Sequence, residues 1–151
     1  MKSIEGNFDN PEVDELLKKH SVELRSVSPA GSTHVLDIDG LKDPSIKFWS
    51  LWENEKLMGC GALKFLNENH GEFKSIRVAD QYRGKGYDQK IIAHLIGEAK
   101  KLNIEKISVE TGYGEFFKSA RNLFKKFGFK KCEPFSHYKS DPNSCYMNLE
   151  I

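Results

Sequence analysis

Apolar residues recur every three or four positions in three stretches of the chain, the spacing that places them on one face of a helix. The first stretch starts after Asn10, a favourable N-cap residue, and has Pro11 at its first helical position. The last stretch stops at Gly128, a residue type that commonly terminates helices. The predicted helices cover residues 11–20, 85–102 and 116–127, and residues 34–41 are a candidate for a short fourth helix.

Runs of branched and aromatic residues between these helices predict strands. The turn residues Asn54 and Glu55 separate two such runs, which are therefore expected to form a hairpin. A helix, an antiparallel meander and then alternating strands and helices indicate a mixed α/β sheet with helices on both faces. We expect a single domain over residues 1–151. The strands are predicted at residues 46–53, 56–65, 72–78, 106–111, 129–132 and 145–151.

The amino-acid composition and the balance of charges argue against several classes of function. The chain has 38% hydrophobic and 30% charged residues, as expected of an ordinary globular protein. Its 23 basic and 22 acidic residues argue against a dedicated nucleic-acid binder, and the paired lysines fit solvated faces. The sequence has no apolar run of membrane-spanning length, no secretory signal pattern and no histidine or cysteine spacing typical of a metal site. We therefore expect a cytoplasmic protein without a membrane, nucleic-acid or metal partner.

A glycine-containing loop, residues 79–88, joins the third predicted strand to the longest helix. Gly84 and Gly86 allow a tight turn and close approach to a ligand, and the start of the following helix favours an anion. Arg83 and Lys85 add positive charge. The loop matches neither a dinucleotide fingerprint nor a Walker loop. These residues alone fit a pyrophosphate cradle and an ordinary strand-to-helix turn about equally well.

Two motifs at characteristic spacing resemble those of the GNAT N-acetyltransferases. Gln81-x-x-Gly84-x-Gly86 is similar to the coenzyme A motif of that family, and the segment 120–129, which ends in Gly-Phe, is similar to its second signature. The resemblance implies a mostly antiparallel central sheet in which the fourth and fifth strands splay apart. Segments that further resemble a subgroup of small bacterial acetyltransferases are residues 71–75, 110–112 and 132–144.

The resemblance implies acetyl-CoA as cosubstrate, with its pantetheine arm in the gap between strands 72–78 and 106–111. Backbone groups of the first strand would pair with pantetheine, and loop N–H groups would hold the pyrophosphate. Asp88 stands where the family often has glycine and places a negative charge near that pyrophosphate. The implied cofactor-binding residues are Ile76, Arg77, Val78, Arg83, Gly84, Lys85, Gly86, Tyr87, Asp88 and Asn122.

The implied reaction is direct attack of an acceptor amine on the thioester, which requires a base. Glu72 and Glu110 are the candidate bases, although each also fits a structural role. Phe124 stands where many family members have the tyrosine that protonates the leaving thiolate, and Tyr138 is the preferred substitute for that hydroxyl. The leading hypothesis is a monomeric or homodimeric N-acetyltransferase acting on a small amine. Phe124 motivates the alternative, a catalytically idle coenzyme A-binding module that acts as a sensor or partner protein.

Overall fold

The computed structural model describes residues 1–28 and 36–151. Within this part of the chain, seven strands form one sheet in the order β1-β2-β3-β4-β5-β7-β6. Short 3₁₀ turns at Asp80–Tyr82 and Glu115–Phe117 precede the two C-terminal helices. The strands are β1 (Lys2–Glu5), β2 (Ile46–Glu53), β3 (Lys56–Phe65), β4 (His70–Val78), β5 (Lys106–Gly112), β6 (Lys130–Lys131) and β7 (Ser144–Glu150). The helices are α1 (Pro11–Val27), α2 (Ile38–Leu41), α3 (Tyr87–Lys101) and α4 (Lys118–Lys126).

The predicted mixed α/β class is confirmed, and the sheet is mostly antiparallel. Among the strands of the described residues, only β4 and β5 run parallel, and their pairing is confined to residues 70–72 against residues 106–108. Helices pack on both faces, because α3 and α4 contribute to one hydrophobic cluster and α1 and α2 to another. The predicted hairpin is confirmed as β2 and β3, which pair from Ile46 opposite Lys64 to Glu53 opposite Lys56, with a register shift between Leu51 and Trp52.

The first helix is longer than predicted, since α1 continues seven residues beyond His20 to Val27. Its added segment is held by tertiary contacts, in which Glu23 accepts hydrogen bonds from two arginines of distant segments. The edge strand β1 was not predicted; it pairs with β2 in the antiparallel sense. Residues 34–35 of the candidate short helix lie outside the described residues, and Asp37 caps the helix that follows them.

The C-terminal elements also differ from the predicted bounds. The predicted helix 116–127 is divided into the 3₁₀ turn at Glu115–Phe117 and α4. The predicted strand 129–132 is reduced to the two residues of β6, which pair only with β7. The remaining helix and strand ends agree with the prediction to within two residues.

Candidate functional site

The site lies where β4 and β5 stop pairing. Glu72 opposite Ser108 is the last paired position, and beyond it β4 bends away. The bend coincides with a β-bulge against β3, where Ser75 has a φ of 55°, in the left-handed region. A cavity of about 700 Å³ occupies the resulting gap. The predicted splay of the two strands is therefore present in the fold.

The cavity joins most of the residues predicted for the site. All three candidate catalytic residues, Glu72, Glu110 and Tyr138, line it. So do the following predicted coenzyme contacts: Ile76, Arg77, Val78, Arg83, Gly84, Tyr87 and Asp88. Lys85 and Gly86 are exposed in the adjoining loop, and Asn122 is exposed on α4 next to the cavity-lining Leu123.

The loop before α3 has the backbone geometry of an anion cradle. Gly84 and Gly86 have φ values of 76° and 84°, and a Cβ at either position would meet no atom within 4 Å. Backbone conformation rather than crowding therefore requires glycine, and the space beside the loop stays open. The N-cap residue of α3, Gly86, makes no side-chain cap bond, so the positive end of the helix dipole lies beside that space. One N–H group at the start of α3, that of Gln89, donates to Asp88 Oδ1 at 2.8 Å.

Acidic side chains partly compensate the positive charge of the loop. Arg83 Nη2 lies 2.8 Å from Glu23 Oε1 and 3.4 Å from Asp80 Oδ1. The side chain of Arg77 also turns to these carboxylates, at 3.2 Å from Glu23 and 2.9 Å from Asp80. Lys85 lies over the ring of Tyr82, with its Nζ 5.9 Å from the ring centroid. The two arginines thus tie the loop and β4 to α1.

At the centre of the cavity wall, a buried glutamate, a lysine and a tyrosine form one cluster. Glu72 is 1% exposed, and its Oε2 accepts a 2.6 Å hydrogen bond from the Tyr138 hydroxyl. Lys74 Nζ donates to the same Oε2 at 3.3 Å and to the Tyr138 oxygen at 2.9 Å. Burial, followed by the Glu72 carboxylate, raises the pKa of Tyr138. The phenol therefore retains its proton and uses it to hold Glu72.

Glu110 is the cavity carboxyl best suited to exchange a proton near neutral pH. Burial raises its pKa to about 7, and the neighbouring charges of Glu72 and Asp141 act in the same direction. The Ser144 hydroxyl and the charge of Lys74 oppose this rise. A carboxyl that titrates near pH 7 can accept a proton in one step and release it in the next.

The wall formed by α4 carries no hydroxyl at the position of Phe124. This ring is buried, lines the cavity and packs on Phe129 with 5.1 Å between centroids. Tyr113 is exposed and lies beneath the ammonium of Lys131 and the guanidinium of Arg121. Tyr138, the predicted substitute for the missing hydroxyl, lines the cavity, whereas Tyr113 does not.

Sequence reasoning missed several residues of the cavity. Lys74 follows Glu72 by two positions on a strand, and this alternation was a usable signal that both face the same side. His20 and Glu23 lie on α1 and line the cavity, but no local pattern linked them to the loop. His20 is buried, and burial together with the charge of Arg77 lowers its pKa to about 4.

In residues 1–28 and 36–151, no group of three or more histidine, cysteine, aspartate or glutamate side chains is arranged to hold a metal ion. None of the helices in the same ranges has the length and apolarity required to cross a membrane.

The sequence model of the Acetyltransferase (GNAT) family matches residues 12–129. This range covers more than half of the chain and includes α1, β4, the loop and α4. The chain belongs to the GNAT acetyltransferase family.

Relatives of nearly equal length support this assignment. The chain is 42% identical over 140 residues to YsnE of Bacillus subtilis, an uncharacterized N-acetyltransferase, with 93% of each chain covered. It is 39% identical over 145 residues to YedL of Escherichia coli, another uncharacterized N-acetyltransferase, with 96% of this chain and 91% of that protein covered. The predicted resemblance to small bacterial acetyltransferases is thereby confirmed.

Solved structures share the fold at low sequence identity. A Bacillus subtilis acetyltransferase in complex with CoA superposes with a TM-score of 0.75 at 18% identity, covering 99% of this chain and 98% of that one. A GNAT family acetyltransferase from Elizabethkingia anophelis with acetyl-CoA bound has a TM-score of 0.69 at 16% identity, with 99% and 97% covered. These neighbours establish the acyl-CoA N-acyltransferase fold.

Proposed function

We propose that this protein transfers the acetyl group of acetyl-CoA to an amine of a small-molecule acceptor by direct attack. The observation that carries the proposal is one cavity with an open anion cradle at one end and a carboxyl of pKa about 7 inside it. Family membership supports acetyl transfer, and related folds have been crystallised with CoA or acetyl-CoA.

In this proposal the coenzyme spans the gap between β4 and β5. Backbone N–H groups of residues 84–88 hold the pyrophosphate, because they combine the two left-handed glycines with the start of α3. Lys85 supplies charge, while Arg83 keeps its side chain on Glu23 and its N–H on the Asp80 carbonyl. Ile76 and Val78 contact the pantetheine arm, and Asn122 is the candidate contact for an outer part of the coenzyme.

Glu110 is the proposed base. Above about pH 7 it is ionised and, as the neutral amine bonds to the thioester carbon, it takes the proton that the amine nitrogen releases, directly or through water. The amine nitrogen bonds to the thioester carbon, and the oxyanion accepts a hydrogen bond from a backbone N–H near Ile76. The C–S bond then breaks, and the thiolate leaves and takes a proton from Glu110 or solvent.

Glu72 and Tyr138 act together rather than as separate catalysts. The Tyr138 proton is committed to Glu72 at 2.6 Å, and the raised pKa of Tyr138 makes its donation to a thiolate unfavourable. We assign both residues to positioning Lys74 and shaping the electrostatics around Glu110.

The alternative, a catalytically idle coenzyme A-binding module, is favoured by a specific observation, the apolar Phe124 ring in the cavity wall. Calorimetry with acetyl-CoA tests the shared part of both proposals, and absence of binding would refute both. Release of free thiol with a panel of small amines then separates them. Steady turnover excludes the idle module, whereas binding without turnover of any amine excludes the enzyme.

A further inference from the structure

Lys74 is the cavity residue that the proposed transfer does not explain. Its side chain is only 9% exposed, and burying an ammonium is costly unless it is compensated. An ammonium has three N–H donors. Among the described residues its hydrogen-bond acceptors are Glu72 Oε2 and the Tyr138 hydroxyl, which use two of them. The third donor belongs to a side chain that lines the cavity.

The surroundings of Lys74 leave its positive charge incompletely compensated. Its shorter contact, 2.9 Å, is to the neutral Tyr138 oxygen, and its contact to the Glu72 carboxylate is 3.3 Å. That carboxylate is shared, because it also accepts the Tyr138 proton. Arg77, three residues along β4, lines the same cavity, but its guanidinium is paired with Glu23 and Asp80. Among the described residues Glu72 Oε1 is buried without a hydrogen-bond partner, so the carboxylate itself offers no site for an anion. The remaining N–H donor of Lys74 is therefore the point in this part of the cavity at which an anionic group can bind.

Glu110 faces the same space from β5. Lys74 and Glu110 both line this cavity, so one small molecule in it can contact both side chains. The Glu110 carboxylate can receive an amine, and the Lys74 ammonium can receive an anion. Together they match a molecule that carries an amine and an anionic group on neighbouring atoms.

On the basis of the proposed function, we propose that the acceptor is an α-amino acid, whose carboxylate is bound by Lys74 while its amine faces Glu110. The third N–H of Lys74 donates to the acceptor carboxylate, which also compensates the buried charge. An amine without a carboxylate loses this hydrogen bond, and its own positive charge is repelled by Lys74.

Matched acceptor pairs test this assignment. Phenylalanine is compared with phenethylamine, and leucine with isoamylamine, by thiol release at saturating acetyl-CoA. For the wild type we expect kcat/KM to be at least roughly tenfold higher for the carboxylated member, the size of one charge-assisted hydrogen bond. Equal or faster turnover of the decarboxylated members by the wild type would overturn the assignment.

Substitution of Lys74 separates ligand binding from a purely structural role. Lys74→Met is expected to abolish the preference for the carboxylated member, Lys74→Arg to retain part of it, and both to leave acetyl-CoA affinity unchanged in calorimetry. Lys64→Met is the matched control, since Lys64 pairs with Glu72 across the sheet and does not line the cavity. If Lys74→Met lowers both members of each pair equally, Lys74 is only a counter-ion of Glu72. If Lys74→Met does not fold, Lys74→Gln provides the same comparison.

A binding measurement keeps this inference distinct from the proposed function. If no amine is turned over, the proposed transfer fails, and the same four compounds are titrated into the coenzyme A-loaded protein. Binding of the amino acids alone, lost in the Lys74 variant, would support the anion site without transfer. Equal binding of the amino acids and the decarboxylated amines, or no binding at all, would overturn the proposed anion site.

Discussion

Replacing Glu110 with glutamine tests the electrostatic reasoning about the cavity without any assumption about the acceptor. Glutamine keeps the size and polarity of the side chain, and it removes the ionisable group. The variant therefore isolates the cost of holding a carboxylate in this partly buried place.

The size of the effect follows from the shifted pKa. Burial raises the pKa of Glu110 from 4.5 to about 7, so the folded state binds the proton more tightly than the unfolded state. At a pH below both values the two states are protonated and the group costs nothing. The cost grows as the pH rises from about 4.5 to about 7 and is complete above that range, where 1.36 kcal/mol per pKa unit gives roughly 3 kcal/mol.

Urea unfolding of the wild type and Glu110→Gln at two pH values measures this difference. We expect the variant to gain about 3 kcal/mol in free energy of unfolding near pH 8.5 and less than about 1 kcal/mol near pH 5. The same variant should lose turnover, while the wild-type rate should rise with pH through about 7 because the base must be ionised.

Glu68→Gln, at an exposed turn position, controls for the loss of a negative charge. A gain that is equal at both pH values would show that removing a charge, and not relieving burial, stabilises the protein. A loss of stability near pH 8.5 would refute the reasoning outright, because Glu110 would then be held by favourable contacts in its charged form.

Three further predictions concern the loop and the buried cluster. Gly86→Asp should weaken acetyl-CoA binding at least roughly tenfold without unfolding the protein, because a charged side chain fills the open cradle. Gly97→Asp, further along α3, is the control, and an equal effect of this variant would contradict a local cause. Asp88→Asn should tighten coenzyme A binding by about twofold to fivefold in calorimetry, which is the usual effect of one charge at a helix N-terminus. Unchanged affinity would show that the pyrophosphate binds elsewhere. Tyr138→Phe should lower the free energy of unfolding by about 1–3 kcal/mol, because buried Glu72 loses the shorter of its two hydrogen bonds, yet it should retain turnover. Complete loss of turnover at unchanged stability would instead make Tyr138 the general acid.

Local patterns in the sequence predicted α3, α4, the β2–β3 hairpin and the glycine loop. These features depend on residues close together in the chain: apolar spacing, a turn between two strands, and glycines where the backbone needs a left-handed conformation. The two motifs, read together, also predicted the family. The presence of Glu72, Glu110 and Tyr138 around one cavity followed from that resemblance and not from their own spacing.

Tertiary structure decided the chemistry of the site. The C-terminal half of α1, with Glu23 against two arginines, is held by contacts more than fifty residues apart in sequence. The bond between Tyr138 and Glu72 spans 66 positions, and no local pattern encodes it. The pKa of Glu110 depends on how completely packed strands and loops remove water from its carboxyl. A sequence names the ionisable groups, but only the folded chain sets their burial and their neighbours, and these determine which of them exchange a proton near neutral pH.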